Sequence, residues 1–315
     1  MIKVEILEKM IFDTIVRSSC VIPKDVYNSF HQVIKAKSQN KEHIEEKYLF
    51  NQMIKSLELS AKRKNPTCPD TGWPLFFYKI GNDAVIEGGI LKLEEVSKKM
   101  VTKATKEGFL RSTMKHPITG HDPGSNVGIN VPYFDYRFVP GDTIQITFVA
   151  KGGGSECFGG TRYRMIAFAD GVKGIEKFVV DSYIDATRAG AICPPGILGI
   201  GIGGTANIAA NIAKEAACLR VVGSKHPEPM FAELEEKLFH GINLLGIGLM
   251  GSGKGPSVLS VNIEYAYTHI AGIAVALSSN CCISRRATTK IYYNGKIEEL
   301  DDPDWFDRKE YNEKI

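Results

Sequence analysis

Asn65-Pro66-Thr67-Cys68-Pro69-Asp70-Thr71-Gly72-Trp73 divides the chain into two kinds of sequence. Pro66 and Pro69 remove two backbone donors and push the residues before them out of the helical region, so this stretch is a loop that closes as a turn at Thr71-Gly72. Before it, apolar residues recur at helical spacing. After it they fall into short strand-like runs separated by helices. The expected fold class is α+β, a helical N-terminal part followed by a mixed α/β body that carries cysteines on loops. A thiol and a carboxylate two residues apart in such a loop read as a chemical position, the alternative being a small hydrophobe in a tight turn.

Working outward from the loop, Ile6, Met10, Ile11 and Ile15 form one helical stripe, and Val26, Phe30, Val33 and Ile34 form a second after Pro23. Ile44, Tyr48, Met53 and Ile54 form a third, with Asn40 as its N-cap. Residues 1–63 are therefore expected to be a helical region, 64–300 the mixed α/β body and 301–315 a polar surface tail. On the C-terminal side, 75–78 and 84–86 read as short strands and 93–109 as a charged helix. Residues 131–138 and 143–148 flank Pro140-Gly141-Asp142 as a hairpin, with Ile144, Ile146 and Phe148 forming the apolar side of a half-buried strand. Lys151-Gly152-Gly153-Gly154-Ser155-Glu156 follows as a loop with amides turned toward a ligand. Helices are expected over 175–189, 205–222 and 230–244, a strand over 258–267 and a buried apolar segment over 270–277.

The 315 residues carry 39 basic and 36 acidic side chains, a balance with no basic block to suggest nucleic acid. The charged run 41–47 is a solvated helix face. No uninterrupted apolar segment opens the chain and none approaches the roughly 18 residues of a membrane span, so a cytoplasmic protein without membrane contact is expected. Seven cysteines make an odd number, which argues against a disulfide framework and for metal ligands or catalytic thiols on the loops.

Two glycine patterns suggest nucleotide binding as the competing function. Gly199, Gly201 and Gly204 have dinucleotide-loop spacing, but 220–225 lacks the acidic residue that the mechanism needs. Gly248, Gly253 and Lys254 have phosphate-loop spacing, with Gly255 where a magnesium-binding hydroxyl belongs. Gly199 to Gly204 has two other readings: close backbone approach to something bulky and anionic, favoured by a helix N-terminus at Thr205, or tight strand-helix packing.

Cys68, Cys193 and Cys281 each sit at the edge of an apolar or glycine-rich segment, too far apart for a local zinc knuckle. Three thiolates from distant loops can hold three irons of a [4Fe-4S] cluster and leave the fourth open. Cys68-Pro69-Asp70-Thr71-Gly72, Lys151-Gly152-Gly153-Gly154-Ser155-Glu156, Cys193-Pro194-Pro195 with Gly201-Ile202-Gly203-Gly204, and Cys281 with Arg285-Arg286-Ala287 resemble, in order and spacing, the signatures of class I iron-sulfur fumarases and L(+)-tartrate dehydratase α-chains.

The resemblance implies a hydro-lyase acting on a small 2-hydroxydicarboxylate. It implies Cys68, Cys193 and Cys281 as cluster ligands, Asp70 at the substrate, and Arg111 gripping a substrate carboxylate. Gly153, Gly154, Ser155, Arg285 and Arg286 are expected at the substrate too. Cys282 competes with Cys281 for the third ligand position by a single residue. The resemblance also implies a shorter β-subunit that completes the site in an α2β2 assembly, which would account for the lack of an evident proton-abstracting base. His116 and His121 are candidates for supporting groups, while His269 reads as a core histidine. Two departures border the pocket: Pro69 replaces the family's usual Gln, and Cys157-Phe158 replaces a polar pair. They leave room for a catalytically silent relative.

Overall fold

The computed structural model describes residues 1–36 and 44–306. In chain order its helices and strands begin with α1 (Val4–Cys20), α2 (Lys24–Ala36), α3 (Ile44–Arg63), β1 (Trp73–Gly81), α4 (Lys92–Lys106), β2 (Tyr133–Val139) and β3 (Ile144–Lys151). Then come α5 (Gly154–Cys157), β4 (Thr161–Ile166), α6 (Gly171–Arg188), β5 (Gly196–Ile202) and α7 (Ala206–Leu219). The chain continues through α8 (Pro229–Asn243), β6 (Val258–Tyr265), β7 (Ile273–Asn280), β8 (Arg286–Ile291) and β9 (Ile297–Leu300). The α+β class expected from the sequence is the class observed. No helix among the described residues is long and apolar enough to cross a membrane.

The elements group into two compact units. Unit 1 comprises Met1–Lys24, Lys55–Gly152 and Arg285–Pro303, with a sheet in the order β2-β1-β3-β8-β9. Leu7, Met10, Ile11 and Ile15 of α1 and Leu93, Val96 and Met100 of α4 pack on Phe76, Tyr78, Ile144, Ile146 and Phe148 of the sheet. This is the face that period-two alternation predicts.

Three expectations in this unit are corrected. Strands β2 and β3 flank the turn at 140–142 but do not pair, because β1 lies between them, parallel to β2 and antiparallel to β3. The turn instead crosses the end of β1, where Gly81 N donates to Thr143 O and Asp83 N to Gly141 O, both at 2.8 Å. A Cβ on Gly81 would lie 2.3 Å from Gly141 O, so the crossing requires glycine there. Second, β3 is buried on both faces, since Thr147 bonds Thr288 at 2.9 Å and Gln145 Nε2 donates to Pro303 O. Third, 84–86 is irregular chain between two turns with one isolated bridge, Ile2 to Ile86, rather than a strand.

Unit 2 comprises Asp25–Ile54, Gly153–Ser284 and Asp304–Ile315. Its sheet has the order β4-β7-β5-β6, with β5 parallel to β6 and antiparallel to β7. One face carries α6 and α8, through Ile175, Phe178, Val179, Leu234 and Leu238 packed on Leu198, Ile200, Val275 and Leu277. The other face carries the alanine-rich α7, whose Ala209 and Ala213 meet Ala274 and Ala276. The stripe predicted from Ile44, Tyr48, Met53 and Ile54 is corrected in part: Ile44 and Tyr48 are exposed, whereas Ile54 is buried as expected and Phe50, outside the stripe, is buried too. Phe50 stacks edge-on against Phe30, with ring centroids 5.6 Å apart. Asn40 and 41–43 of the charged run lie outside the described residues, as does 307–315 of the expected tail. Within that tail Trp305 and Phe306 are buried, so the described part is no simple surface strap.

Candidate active site

In unit 1 the loop between α3 and β1 holds Cys68, half-buried, and Asp70. Gly72 fixes the loop to the sheet. It has φ +73°, and a Cβ there would lie 1.9 Å from Lys151 O. Its amide donates to Asp70 Oδ1 at 3.1 Å, which orients the carboxylate.

Thr71 joins this loop to Arg111. Its Oγ1 accepts from Arg111 N at 2.8 Å and donates to Arg111 O at 3.3 Å. Asn126 Nδ2 also donates to Arg111 O, at 2.8 Å, while Asn126 Oδ1 accepts from Thr113 N at 2.9 Å. The Arg111 backbone is thus held on both sides and its residue is exposed. Further along this loop, a bond from Ser112 Oγ at 2.6 Å holds the Asp122 carboxyl below its usual range. Asp122 also accepts from the Gly124 amide, a weaker cause in the same direction.

Arg285 reaches the same loop. It is 2% exposed, its Nη1 donates to Asp70 O, and its Nε has no hydrogen-bond partner among the described residues. A buried guanidinium with an unsatisfied donor is costly unless an anion completes it. Arg286 follows Arg285 and begins β8, opposite Val149. Adjacent residues point to opposite sides there. Arg286 lines a cavity of about 190 Å³ with Arg17, Lys24, Glu299 and Asp301. The two arginines expected together at the substrate therefore occupy different surroundings within this unit.

In unit 2 the antiparallel pairing of β5 and β7 sets Ile197 opposite Asn280, so the chain entering β5 and the chain leaving β7 meet at one end of the sheet. Cys193 lies on the first and Cys281 on the second. A bond from Cys282 N to Cys193 O, at 3.1 Å, ties them together. Cys193 is exposed and Cys281 half-buried, whereas Cys282 is 1% exposed. Near it, burial pushes the Tyr183 phenol up, and that hydroxyl donates to Ser257 O at 2.6 Å.

Gly154 comes to the same end. Its Cβ would lie 2.6 Å from Ala191 O, two residues before Cys193. The expected open loop at 151–156 is corrected: Gly154–Cys157 is a helical turn whose Glu156 and Cys157 amides bond Gly153 O at 3.2 and 2.8 Å. Ser155 is buried in it.

The remaining candidates divide plainly. His116 and His121 are exposed in the loop after Arg111, where His116 N donates to His121 O at 2.9 Å. His269, expected in the core, is exposed in a turn and accepts from Ala271 N at 3.1 Å through Nδ1.

The glycines of both nucleotide-like patterns have other work. A Cβ on Gly199 would lie 2.0 Å from Ala213 O and one on Gly201 2.0 Å from Ala209 O, so α7 fills the space over β5. Gly248 to Lys254 stands between α8 and β6, where Leu249 N donates to Lys254 O at 2.8 Å, and no helix follows it as a phosphate loop requires.

Sequence reasoning missed Thr71 and Asn126 as the brace of Arg111. Thr71 lay within a noticed motif; Asn126 offered no local sign. It also missed the buried cluster in which Arg220 Nη1 meets Glu235 at 3.1 Å and Glu264 at 2.9 Å. Burial pushes the Glu235 carboxyl up, against the opposing pull of Arg220.

Among the described residues, no three His, Cys, Asp or Glu side chains form a ready metal-holding group. The cysteines nevertheless suit a thiolate-bound group: Cys68, Cys193 and Cys281 form no disulfide, lie on loops and are not fully buried.

The sequence model of the fumarate hydratase (Fumerase) family matches residues 8–290. A Methanocaldococcus jannaschii protein provisionally named L(+)-tartrate dehydratase subunit alpha is 36% identical over 278 residues, 88% of this chain and 94% of that protein. The L(+)-tartrate dehydratase subunit alpha of Escherichia coli strain UTI89 is 34% identical over 280 residues, 89% of this chain and 88% of its own. The strain K12 protein of the same name is 33% identical over the same length and coverage.

Proposed function

This chain belongs to the fumarate hydratase family and is a hydro-lyase, and from that premise we propose that it is the α-subunit of a [4Fe-4S] enzyme that dehydrates a small 2-hydroxydicarboxylate of the malate or tartrate type. The cluster ligands are Cys68, Cys193 and Cys281. One observation carries this assignment. The Cys193 and Cys281 segments are bonded to each other with both residues accessible, while Cys282, the competing ligand, is buried. When bound, such a cluster supplies a Lewis-acidic iron that makes hydroxide a better leaving group.

The chain's own residues bind and orient the substrate. Arg111, with its backbone braced by Thr71 and Asn126, offers a guanidinium to one carboxylate. The unsatisfied Nε of Arg285 supports a second anionic contact beside the Asp70 loop. Asp70, oriented by the Gly72 amide, handles the proton of the departing hydroxyl. Removal of the proton next to the carboxylate is assigned to a β-subunit, as the relatives' names, each an α-subunit, also support. The assembly is α2β2.

The test is dehydration of L(+)-tartrate and malate, followed as product formation, with the β-chain present and absent. Turnover of at least one acid that depends on the β-chain is expected. Full activity of this chain alone would overturn the subunit assignment, and no turnover of either acid by the reconstituted pair would overturn the substrate class.

A further inference from the structure

The edge of the unit 1 sheet carries a feature that the reaction does not use. Strand β2 is the outermost strand on its side and pairs with β1 alone among the described strands. An open edge is a template for pairing with another chain, and natural edges are normally blunted by charge or shortness. The opposite edge, β9, obeys that rule: Ile297-Glu298-Glu299-Leu300 has four residues, and antiparallel self-pairing about either glutamate sets Glu against Glu.

Strand β2 does the reverse. Tyr133-Phe134-Asp135-Tyr136-Arg137-Phe138-Val139 is self-complementary about Tyr136. Placed antiparallel to a copy of itself with the two-fold axis at Tyr136, it sets Asp135 opposite Arg137 twice on one face. On the other face it sets Phe134 opposite Phe138 twice. Directly opposed unlike charges and aromatic pairs are the units that stabilise a sheet. An axis at residue 135 would oppose two aspartates and one at residue 137 two arginines. A one-residue slip would exchange the faces. Only the Tyr136 register satisfies both faces.

The rings fit this arrangement. Phe134 stacks on Phe76 with centroids 5.5 Å apart, and Tyr136 stacks on Tyr78 at 5.7 Å. Phe138, on the same face, is 76% exposed. Self-pairing would lay the Phe138 of each copy against the ring row of the other.

We propose that two copies of this chain associate through β2 in this register, continuing the unit 1 sheet across a two-fold axis. The proposal does not depend on the assigned cluster or substrate, and it supplies the α–α contact of a larger assembly.

Sedimentation equilibrium and light scattering on the full chain test it, using Asp135→Arg, Arg137→Asp, the double exchange and Phe138→Asp. The unaltered chain is expected to dimerise. Each single charge exchange sets two like-charge pairs face to face and should weaken the dimer by about tenfold or more. The double exchange should recover the original dissociation constant to within about threefold, because each swapped charge again faces its opposite. Phe138→Asp alters an exposed side chain, so it keeps the fold and should yield monomers, and it decides the matter if a charge variant fails to fold. A monomeric unaltered chain, a dimer insensitive to the single exchanges or to Phe138→Asp, or a double exchange no stronger than the singles would overturn the proposal.

Discussion

Replacing Gly72 by Ala tests whether the thiol and carboxylate loop is held by close approach to the sheet. The new Cβ meets two separate penalties. At φ +73° an L side chain enters the left-handed region, which costs about 1–2 kcal/mol. The Cβ would also lie 1.9 Å from Lys151 O and 2.4 Å from Lys151 C, both backbone atoms of a paired strand that cannot swing aside. Overpacking of this kind adds about 1–3 kcal/mol, for a total of about 2–5 kcal/mol.

Gly108 is the control. It has φ +83° and nothing within 4 Å of an added Cβ, so Gly108→Ala meets the first penalty alone, about 1–2 kcal/mol. Both residues belong to unit 1, so equilibrium unfolding in urea compares them within one cooperative region. Dehydration activity is measured beside it. Gly72→Ala should lose the larger stability and, because its amide orients Asp70, most of the activity; Gly108→Ala should retain activity. Equal stability losses for the two, or an active Gly72→Ala, would refute the reasoning.

Thr71→Val keeps the shape of the side chain but leaves Arg111 N without its 2.8 Å acceptor. A stability loss of about 1–3 kcal/mol is expected, with a rise in KM larger than the fall in kcat in steady-state assays. Arg220→Met leaves Glu235 and Glu264 buried without the cation 3.1 and 2.9 Å away, at a cost of about 3–5 kcal/mol in unfolding free energy near neutral pH. The Glu235 pKa is already raised by burial, and losing Arg220 removes a lowering influence. A carboxyl whose folded pKa is raised contributes stability below its unfolded pKa and loses it as pH rises through the folded one. The Arg220→Met deficit should therefore shrink as pH falls from neutral, by up to about 1.4 kcal/mol per pH unit for one proton. A deficit that grows on acidification would contradict this.

Much of the fold was legible because its signals are local. The stripes Met10-Ile11-Ile15 and Val26-Phe30, and the alternation Ile144-Ile146-Phe148, mark buried faces directly. Residues 140–142 did mark a bend, but no local signal could reveal that β1 separates the two flanking strands, since that pairing spans about sixty residues of chain. The exposure of Ile44 and Tyr48 follows the same logic: α3 has more than one apolar stripe, and only packing against Phe30 selects the one containing Phe50.

For the candidate site, the cysteines and Asp70 stood out by residue type and loop chemistry. What escaped notice was support from afar. Asn126 reaches Arg111 across fifteen residues, and Arg285 reaches Asp70 from the far end of the chain. Gly199 and Gly201 imitated a nucleotide loop because close helix packing and close ligand approach demand the same missing Cβ.

The central claim is tested most directly by anaerobic reconstitution with iron and sulfide, reading visible absorbance together with bound iron and sulfide per chain. The account predicts about four of each in the unaltered protein, with the full cluster lost in Cys68→Ser, Cys193→Ser and Cys281→Ser and kept in Cys282→Ser. A full cluster in any of the first three variants, or none in the unaltered protein, would contradict it.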